Sequence, residues 1–361
     1  MSFKFKILSI DGGGIRGIIP AMVLAEIEKR TGKRICEMFD LISGTSTGGI
    51  LTLGLTLPDP ANPSQAKYQA EDLVELYRQK GKIIFKKDHL PLEEVIENIL
   101  KSMVKQLGLP DMAIEDLVKP KFPSVGREQV LTEYFGDTSI EKSLKEVFIT
   151  SYDTELRLPV FFTSKSSKER NESRIFRKIC SGFTMKQAAM ATSAAPTYFQ
   201  PYKIPTAHPT ERGYYSLIDG GIFANNPTSL AVMEAIIDSK KAGPDKALKL
   251  EDILVVSLGT GSLTRRYTYE KAKNWGLIGW VEPLVNIMMD GQSESVAVQL
   301  EQLLPNTDLL PHYYRFQQFL DDASDDMDNA TDDNIKKLQE LARQIITQNG
   351  QKLEKLCQQL G

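Results

Sequence analysis

Short runs of apolar residues, several of them followed by a glycine-rich turn and a helical pattern, recur along the chain. The runs at residues 5–10, 147–152, 158–164, 215–218 and 253–258 predict buried strands, and segments between them carry apolar residues at helical spacing. Strands that alternate with helices favour a largely parallel sheet covered by helices on both faces. We therefore predict an α/β fold with three layers, α/β/α.

The sharpest turn lies in residues 39–50, where an apolar run ends and a helical pattern begins at once. Gly44, Ser46 and Gly48 form a Gly-x-Ser-x-Gly motif at this turn. A serine at the tip of a strand-to-helix turn needs strained backbone angles and close neighbours without side chains. The pattern therefore predicts a nucleophile elbow with Ser46 as the nucleophile, in preference to a plain glycine-rich turn.

A glycine-rich loop follows the first predicted strand, and its exposed N–H groups are suited to holding an anion. The spacing of Gly12, Gly14 and Gly17 also satisfies the dinucleotide fingerprint. That interpretation needs an acidic residue near the end of the second strand, whereas Asp40 lies at its beginning. An oxyanion hole beside the elbow is the favoured use of the loop.

A serine nucleophile needs a base. The chain has three histidines: His89, His208 and His312. Only His312 has the late position that an α/β-hydrolase triad requires, and none has a catalytic setting. Asp219 is the stronger candidate because it ends an apolar strand and is followed by Gly220 and Gly221, which leave room for another loop. An aspartate acts as a base toward serine when burial raises its pKa. The alternative, an aspartate that caps the turn or the next helix, stays open from the pattern alone.

Two segments outside the sheet pattern are predicted to be helical. Residues 58–135 show helical periods punctuated by prolines, and we predict a mostly helical insertion there. Within it, the basic and apolar residues at 80–87 favour a solvated helix end over membrane contact. The helix at 275–289 carries both tryptophans, and we favour packing on the core over contact with lipid.

The C-terminal part of the chain begins with an aspartate-rich run. Residues 321–333 hold seven aspartates but lack the central glycine and terminal glutamate of an EF-hand loop. We predict a solvated acidic loop that leads into a final helix capped by Thr331. The chain is accordingly divided into a catalytic domain at 1–320 and, at 321–361, a loop and C-terminal helix packed on that same domain.

Composition excludes several classes of function. The chain has 361 residues and a formal net charge of −3, so no bias toward a nucleic acid polymer appears. Three scattered cysteines argue against a disulfide framework or a zinc site and favour a reducing compartment. No secretory signal and no apolar stretch of about 18 residues is visible. We expect a cytoplasmic enzyme without a metal or other cofactor, and peripheral membrane contact stays open.

Three spaced motifs carry a family resemblance: Asp-Gly-Gly-Gly-Ile-Arg-Gly from Asp11, Gly-Thr-Ser-Thr-Gly from Gly44 and Asp-Gly-Gly from Asp219. With further segments in the same order, they resemble the patatin-like phospholipase family over nearly the whole chain. The resemblance implies a patatin-like fold. It also implies a Ser–Asp dyad enzyme that removes acyl chains from phospholipids, lysophospholipids and related lipids.

The resemblance also implies a role for each motif residue. Ser46 is the nucleophile and Asp219 the base. The oxyanion hole consists of loop N–H groups, and the residues concerned are Gly12, Gly13 and Gly14, with Arg16 orienting the loop. The third motif departs from the Asp-Gly-Ala of plant patatins, but both forms suit the same tight turn. The plant proteins' secretory leader is absent, which favours an intracellular enzyme.

Two alternatives of other classes stay open. The compact form resembles patatin-like phospholipases that antiphage systems switch on with cyclic nucleotides to degrade the cell's own membrane. The other alternative is a storage or binding protein with little turnover, against which the intact Ser46 and Asp219 stand. The sequence does not separate hydrolysis from acyl transfer, because the two differ only in the acceptor that resolves the acyl-enzyme.

Overall fold

The computed structural model describes residues 3–86, 120–208, 212–305 and 311–361, and a mixed sheet of nine strands runs through them. The strands are β1 (Phe5–Ile10), β2 (Leu41–Thr45), β3 (Glu146–Asp153), β4 (Leu158–Thr163), β5 (Arg177–Ile179), β6 (Tyr202–Pro205), β7 (Tyr214–Asp219), β8 (Ile253–Leu258) and β9 (Tyr313–Phe316). Their order is β5-β4-β3-β2-β1-β8-β9, and β7 pairs with both β3 and β6 beside this path.

The centre of the sheet is parallel. Strand β1 pairs in parallel with β2 and β8, β2 pairs with β3, and β8 pairs with β9. Antiparallel pairs join β3 to β4 and β7, and β6 to β7. All six residues of β8 are buried, as a strand covered on both faces requires. The predicted α/β class with a largely parallel sheet is confirmed.

Helices cover both faces of the sheet. The α-helices of the described residues are α1 (Ile18–Thr31), α2 (Ile35–Met38), α3 (Thr47–Thr56), α4 (Ala70–Ile84), α5 (Ser124–Phe135), α6 (Met185–Thr192), α7 (Gly221–Ala224), α8 (Thr228–Lys241), α9 (Tyr269–Ala272), α10 (Leu277–Leu303), α11 (Asp332–Gln348) and α12 (Gly350–Leu360). Successive residues of a strand point to opposite faces. Leu8 therefore packs into a core with α1, α3 and α6, whereas Ile7 packs into a second core with α8 and α10. The three-layer prediction is confirmed.

Only part of the predicted helical insertion can be compared with the structure. Helices α4 and α5 lie within residues 58–135, as expected. The helical pattern predicted around residues 92–99, and His89 with it, lie outside the described residues. At the other end of the chain, α11 and α12 pack against α1. The proposed division of the chain at residue 320 stays a prediction.

One of two local predictions for the C-terminal part of the chain needs correction. The middle of the acidic segment is not a solvated loop: Met327 is buried, and Asp325 accepts hydrogen bonds from the backbone N–H groups of Thr264 and Arg265. Thr331 does cap α11, by accepting from the N–H of Asn334.

Helix α10 packs on the core along one side only, through buried residues such as Met289 and Leu300. Its first half leaves a row of apolar side chains exposed: Trp280, Leu284, Ile287 and Met288. Among the helices in the described residues, none is long and apolar enough to cross a bilayer.

Candidate active site

Ser46 stands between the end of β2 and the start of α3, at a backbone conformation that few residues adopt. Its φ is 55° and its ψ is −120°. A side-chain-bearing residue at such angles is strained, and strain of this kind is concentrated at functional sites. A Cβ on Gly44 would overlap the backbone of Gly48, and a Cβ on Gly48 would overlap the carbonyl of Ile10. The two motif glycines therefore allow the sharp turn that presents Ser46.

The side chain of Ser46 lies beside the carboxylate of Asp219, close enough to lower the pKa of that carboxylate, and both residues line one cavity. Strand β7 ends at Asp219, where pairing with β3 aligns it with Ser151. The Asp219 N–H also donates to the carbonyl of Ala194 at 3.0 Å. On the other side, the N–H of Ser46 donates to Thr192 Oγ1 at 2.9 Å. The structure thus brings together two residues that are far apart in the sequence.

Burial makes Asp219 a weaker acid than an ordinary aspartate. The side chain is only 2% exposed, and loss of hydration raises its pKa to about 6. The Ser46 side chain and a hydrogen bond from the N–H of Gly221, at 2.7 Å, oppose the rise, as does the positive charge of Arg127. A carboxylate with a pKa near 6 is a stronger base than one near 4 and is still ionised at neutral pH.

The glycine loop runs alongside the elbow. A Cβ built on Gly12 would lie 3.3 Å from the Cβ of Ser46. The N–H of Gly12 donates to the carbonyl of Asn225 at 3.0 Å and is therefore already used. The N–H groups of Gly13 and Gly14 have no acceptor among the described residues. Gly14, at φ +60°, also lines the cavity at Ser46. Of the three predicted oxyanion-hole residues, Gly13 and Gly14 are the ones with free donors.

Arg16 lies behind the loop and not in the cavity that contains Ser46. Its Nε donates to the carbonyl of Gly13 at 3.2 Å, so its contact with the loop is an orienting one. The guanidinium is buried, and the loss of hydration lowers its pKa, although Asp325 and Asp290 oppose this. Arg16 also lines a neighbouring cavity of about 20 Å³.

A cavity of about 50 Å³ lies at the Ser46–Asp219 pair. Its wall is mostly apolar and aromatic, and it includes Tyr77, Ile84, Phe85, Tyr198, Phe199 and Met327. Ligand pockets in proteins usually measure about 300 Å³ or more, so this cavity admits a compact group but no long acyl chain in its present form. The apolar walls suit an acyl chain only after the cavity widens.

Several residues at the site carry no motif and were not predicted. Arg127 on α5 lines the cavity, Thr192 at the end of α6 accepts from Ser46, and Met327 from the acidic segment closes the cavity beside Gly14. Each reaches the site through tertiary packing from a distant part of the chain. An arginine in the first turn of a helix and a methionine among aspartates look like surface residues in the sequence.

The described histidines make other contacts. His208 lies near Tyr215, with 3.4 Å between Nδ1 and the phenol oxygen, and His312 packs edge-on against Phe3. Neither lines the cavity at Ser46. One cluster of carboxylates in the described part of the chain, Glu146, Glu234 and Asp238, has metal-like spacing. Ion pairs with Lys165, Lys168 and Lys178 already balance its charge.

Comparison with known proteins identifies the family of this chain. The family described as patatin-like phospholipase matches residues 8–232. Patatin-like protein 1 of Arabidopsis thaliana is 28% identical, over 94% of this chain and 81% of its own length. "Probable inactive patatin-3-Kuras 1" of Solanum tuberosum is 31% identical, over 86% of this chain and 78% of its own.

Among solved structures, human GIVD cytosolic phospholipase A2 aligns with a TM-score of 0.45 and 11% identity. The alignment covers 99% of this chain and 60% of the human one. The family match spans more than half of the chain and contains the elbow, the glycine loop and Asp219. The chain belongs to the patatin-like phospholipase family.

Proposed function

We propose that this protein is a lipid acyl hydrolase that cleaves fatty-acyl esters of phospholipids or lysophospholipids through a Ser46–Asp219 dyad. The observation that carries the proposal is the placement of Ser46, on its strained turn, in one cavity with the buried carboxylate of Asp219. Membership in the family supports hydrolysis of lipid esters as the chemistry. One relative whose name describes it as inactive makes turnover a matter for experiment.

In the first half of the reaction, Ser46 becomes acylated. The carboxylate of Asp219 takes the proton of Ser46 as its oxygen attacks the ester carbonyl. The oxyanion that forms accepts hydrogen bonds from the free N–H groups of Gly13 and Gly14, each worth about 3 kcal/mol in such sites. As the tetrahedral intermediate collapses, the alcohol leaves with the proton from Asp219.

In the second half, water resolves the acyl-enzyme. Asp219 takes a proton from the attacking water, and the same two N–H groups hold the second oxyanion. Collapse breaks the bond to Ser46, whose oxygen regains its proton from Asp219, and the fatty acid departs. An ester and a water are thus converted into an acid and an alcohol, and both catalytic side chains return to their starting state.

We also propose that the protein works at a membrane surface and contacts it through an apolar row on α10: Trp280, Leu284, Ile287 and Met288. These side chains recur at helical spacing and are 39–49% exposed. Met289, next along the helix, faces Gly221 beside Asp219, so the row lies on an element that touches the catalytic turn. The preceding segment, 265–273, carries four basic residues and one acidic residue, which suits an anionic lipid surface.

The test of the proposed activity is release of free fatty acid from mixed phospholipid vesicles without added calcium. Wild type is compared with Ser46→Ala, which is checked for folding by its melting temperature. Release that needs Ser46 supports the lipid hydrolase. Absence of release by folded wild type contradicts it and favours the storage or binding alternative. A cyclic-nucleotide effector has no supporting observation in the relatives or in the described residues, and it is not carried further.

A further inference from the structure

Arg127 is a buried cation that forms no ion pair with any of the described residues. It lies in the first turn of α5 and is 1% exposed. No carboxylate in the described part of the chain forms an ion pair with it, although Asp219 is close enough to be felt electrostatically. Burying a charge without a partner is unfavourable, and proteins keep such groups where they serve a function.

One nitrogen of the Arg127 guanidinium is hydrogen-bonded within the protein. Nη1 donates to the carbonyl and to the hydroxyl of Ser193, and Cζ lies 4.1 Å from the ring centre of Phe199. These contacts fix its position. Nε and Nη2, in contrast, are buried and have no acceptor among the described residues. They form one edge of the guanidinium fork, the edge that binds two oxygens of one anion.

Arg127 lines the cavity of the proposed reaction, and its Nε and Nη2, which have almost no accessible surface, meet a bound anion when that cavity widens. Arg127 lines the same cavity of about 50 Å³ as Ser46, Asp219, Ser193 and Phe199. Within that cavity Asp219 is the anionic group, and it is used by Ser46 and by the N–H of Gly221. Among the described residues, none supplies two anionic oxygens to Nε and Nη2, which leaves this edge to an anion on a bound molecule.

We propose that Arg127 is the anion-binding subsite of this active site and takes the phosphate group of the lipid substrate. This inference rests on the proposed hydrolase function. In a glycerophospholipid the phosphate stands only a few bonds from the acyl ester, so both groups are within the reach of one small cavity. The planar fork of arginine matches two phosphate oxygens better than a lysine does. Arg127 is then a specificity-determining residue that selects phosphate-bearing esters over neutral ones.

A matched pair of substrates tests the subsite. Lysophosphatidic acid and a monoacylglycerol of the same acyl chain differ only by the phosphate. Their kcat/KM values are measured at equal surface concentration in the same mixed micelles, for wild type, Arg127→Gln and Arg127→Lys. We expect the ratio of the two kcat/KM values to fall about 10- to 100-fold in Arg127→Gln, the range for lost charge-assisted hydrogen bonds. Arg127→Lys retains an intermediate ratio because it keeps the charge but not the fork.

The ratio separates this role from a structural one. If Arg127 only holds Ser193 or adjusts the charge of Asp219, both substrates lose activity by the same factor and the ratio stays at its wild-type value. That outcome overturns the proposal. Inorganic phosphate identifies the source of the anion. Phosphate is tested as a competitor of monoacylglycerol hydrolysis in wild type and in Arg127→Gln. If phosphate competes only in wild type, and the ratio of the two kcat/KM values is the same in both proteins, then free phosphate and not the lipid occupies the subsite.

Binding without turnover keeps the inference testable if the hydrolase proposal fails. Glycerol 3-phosphate binding is measured by calorimetry on Ser46→Ala and on Ser46→Ala with Arg127→Gln. We expect binding in the first protein and at least 10-fold weaker binding in the second. Equal affinity in the two proteins, or no binding to either of them when both are folded, rejects the subsite. Failure of the hydrolase alone appears instead as intact binding without fatty acid release.

Discussion

The carbonyl oxygen of Met327 accepts a hydrogen bond of 2.8 Å from the N–H of Ile15, and this bond ties the acidic segment to the glycine loop. The contact leaves no space for a side chain at Gly14, because a Cβ there would overlap the same carbonyl. A segment near the end of the chain thus helps to fix the loop whose N–H groups are proposed to hold the oxyanion.

Gly14→Ala should abolish activity through this contact. The residue has φ +60°, and the added methyl group must displace Met327 and the Gly13–Gly14 donors together. Loss of the oxyanion donors lowers kcat by about 10²- to 10³-fold per donor. Gly32→Ala is the matched control, since Gly32 has φ +67° but nothing within 4 Å of its added Cβ. It should cost about 1 kcal/mol of stability and keep wild-type kcat. Equal loss of kcat in both variants contradicts the assignment of the loop.

Ser46→Gly and Ser46→Ala should both be inactive but differ in stability. The φ of 55° at this position is unfavourable for any side chain and is readily adopted by glycine. We expect Ser46→Gly to exceed Ser46→Ala in free energy of unfolding by about 1 kcal/mol, measured by denaturant titration. An equal or lower stability of the glycine variant would show that the elbow is not strained in solution.

Ionisation of Asp219 should determine how the rate falls at acidic pH. Because the base must be ionised, kcat/KM of wild type is expected to rise through a pKa of about 6. Asp219→Asn cannot accept the Ser46 proton and should lose activity at every pH. A wild-type profile that is flat between pH 5 and pH 7, with chemistry rate-limiting, contradicts the role of this carboxylate.

The same shift predicts a stability change of known sign. The pKa of Asp219 is higher in the folded protein than in the unfolded chain, so the folded state binds the proton more tightly. Its contribution to stability is present below pH 4 and is lost as the pH rises to about 6. At pH 7, the free energy of unfolding of Asp219→Asn should therefore exceed that of wild type by about 3 kcal/mol, measured by denaturant titration. At pH 4 the two proteins should converge.

The apolar row on α10 should respond to lipid. Both tryptophans of the chain, Trp275 and Trp280, lie at this surface with their rings 5.0 Å apart, so intrinsic fluorescence reports on it directly. We expect a blue shift and quenching by brominated lipid when anionic vesicles are added to wild type. The double variant Leu284→Gln with Ile287→Gln should bind vesicles about 10-fold or more weakly. Each substitution removes an aliphatic side chain that would be buried in the lipid when the protein is bound.

The control for this surface lies on the same helix. Val298 is 58% exposed but lies more than two turns beyond the apolar row. Val298→Gln should bind vesicles as wild type does. Hydrolysis of a short-chain soluble ester should be the same in all these variants, which separates surface binding from catalysis. If the double variant Leu284→Gln with Ile287→Gln binds vesicles as tightly as wild type does, the apolar row is not the surface that contacts the membrane.

Much of the site was predictable because its motifs are local. The turn at Ser46 and the loop at Gly12 each join a strand to a helix within a few residues, and their glycines reveal the backbone geometry. The base was left open between two roles until the structure placed Asp219 against Ser46. Arg127 and Met327 had no local pattern at all. Their roles arise from burial and from contacts between residues far apart in the sequence, such as the 66 positions between Arg127 and Ser193, which hydrophobic periodicity does not encode.

The narrow space at Ser46 has a consequence for how inhibitors of this protein will behave. An acyl chain enters only a widened form, so occupancy follows the population of that form as well as its intrinsic affinity. The apparent affinity of a long-chain analogue is then its affinity for the widened form multiplied by the fraction of molecules in that form. Compact acylating agents escape this reduction because they enter the closed form. Reactivity of Ser46 toward short reagents will therefore overestimate how accessible Ser46 is to substrates with long acyl chains.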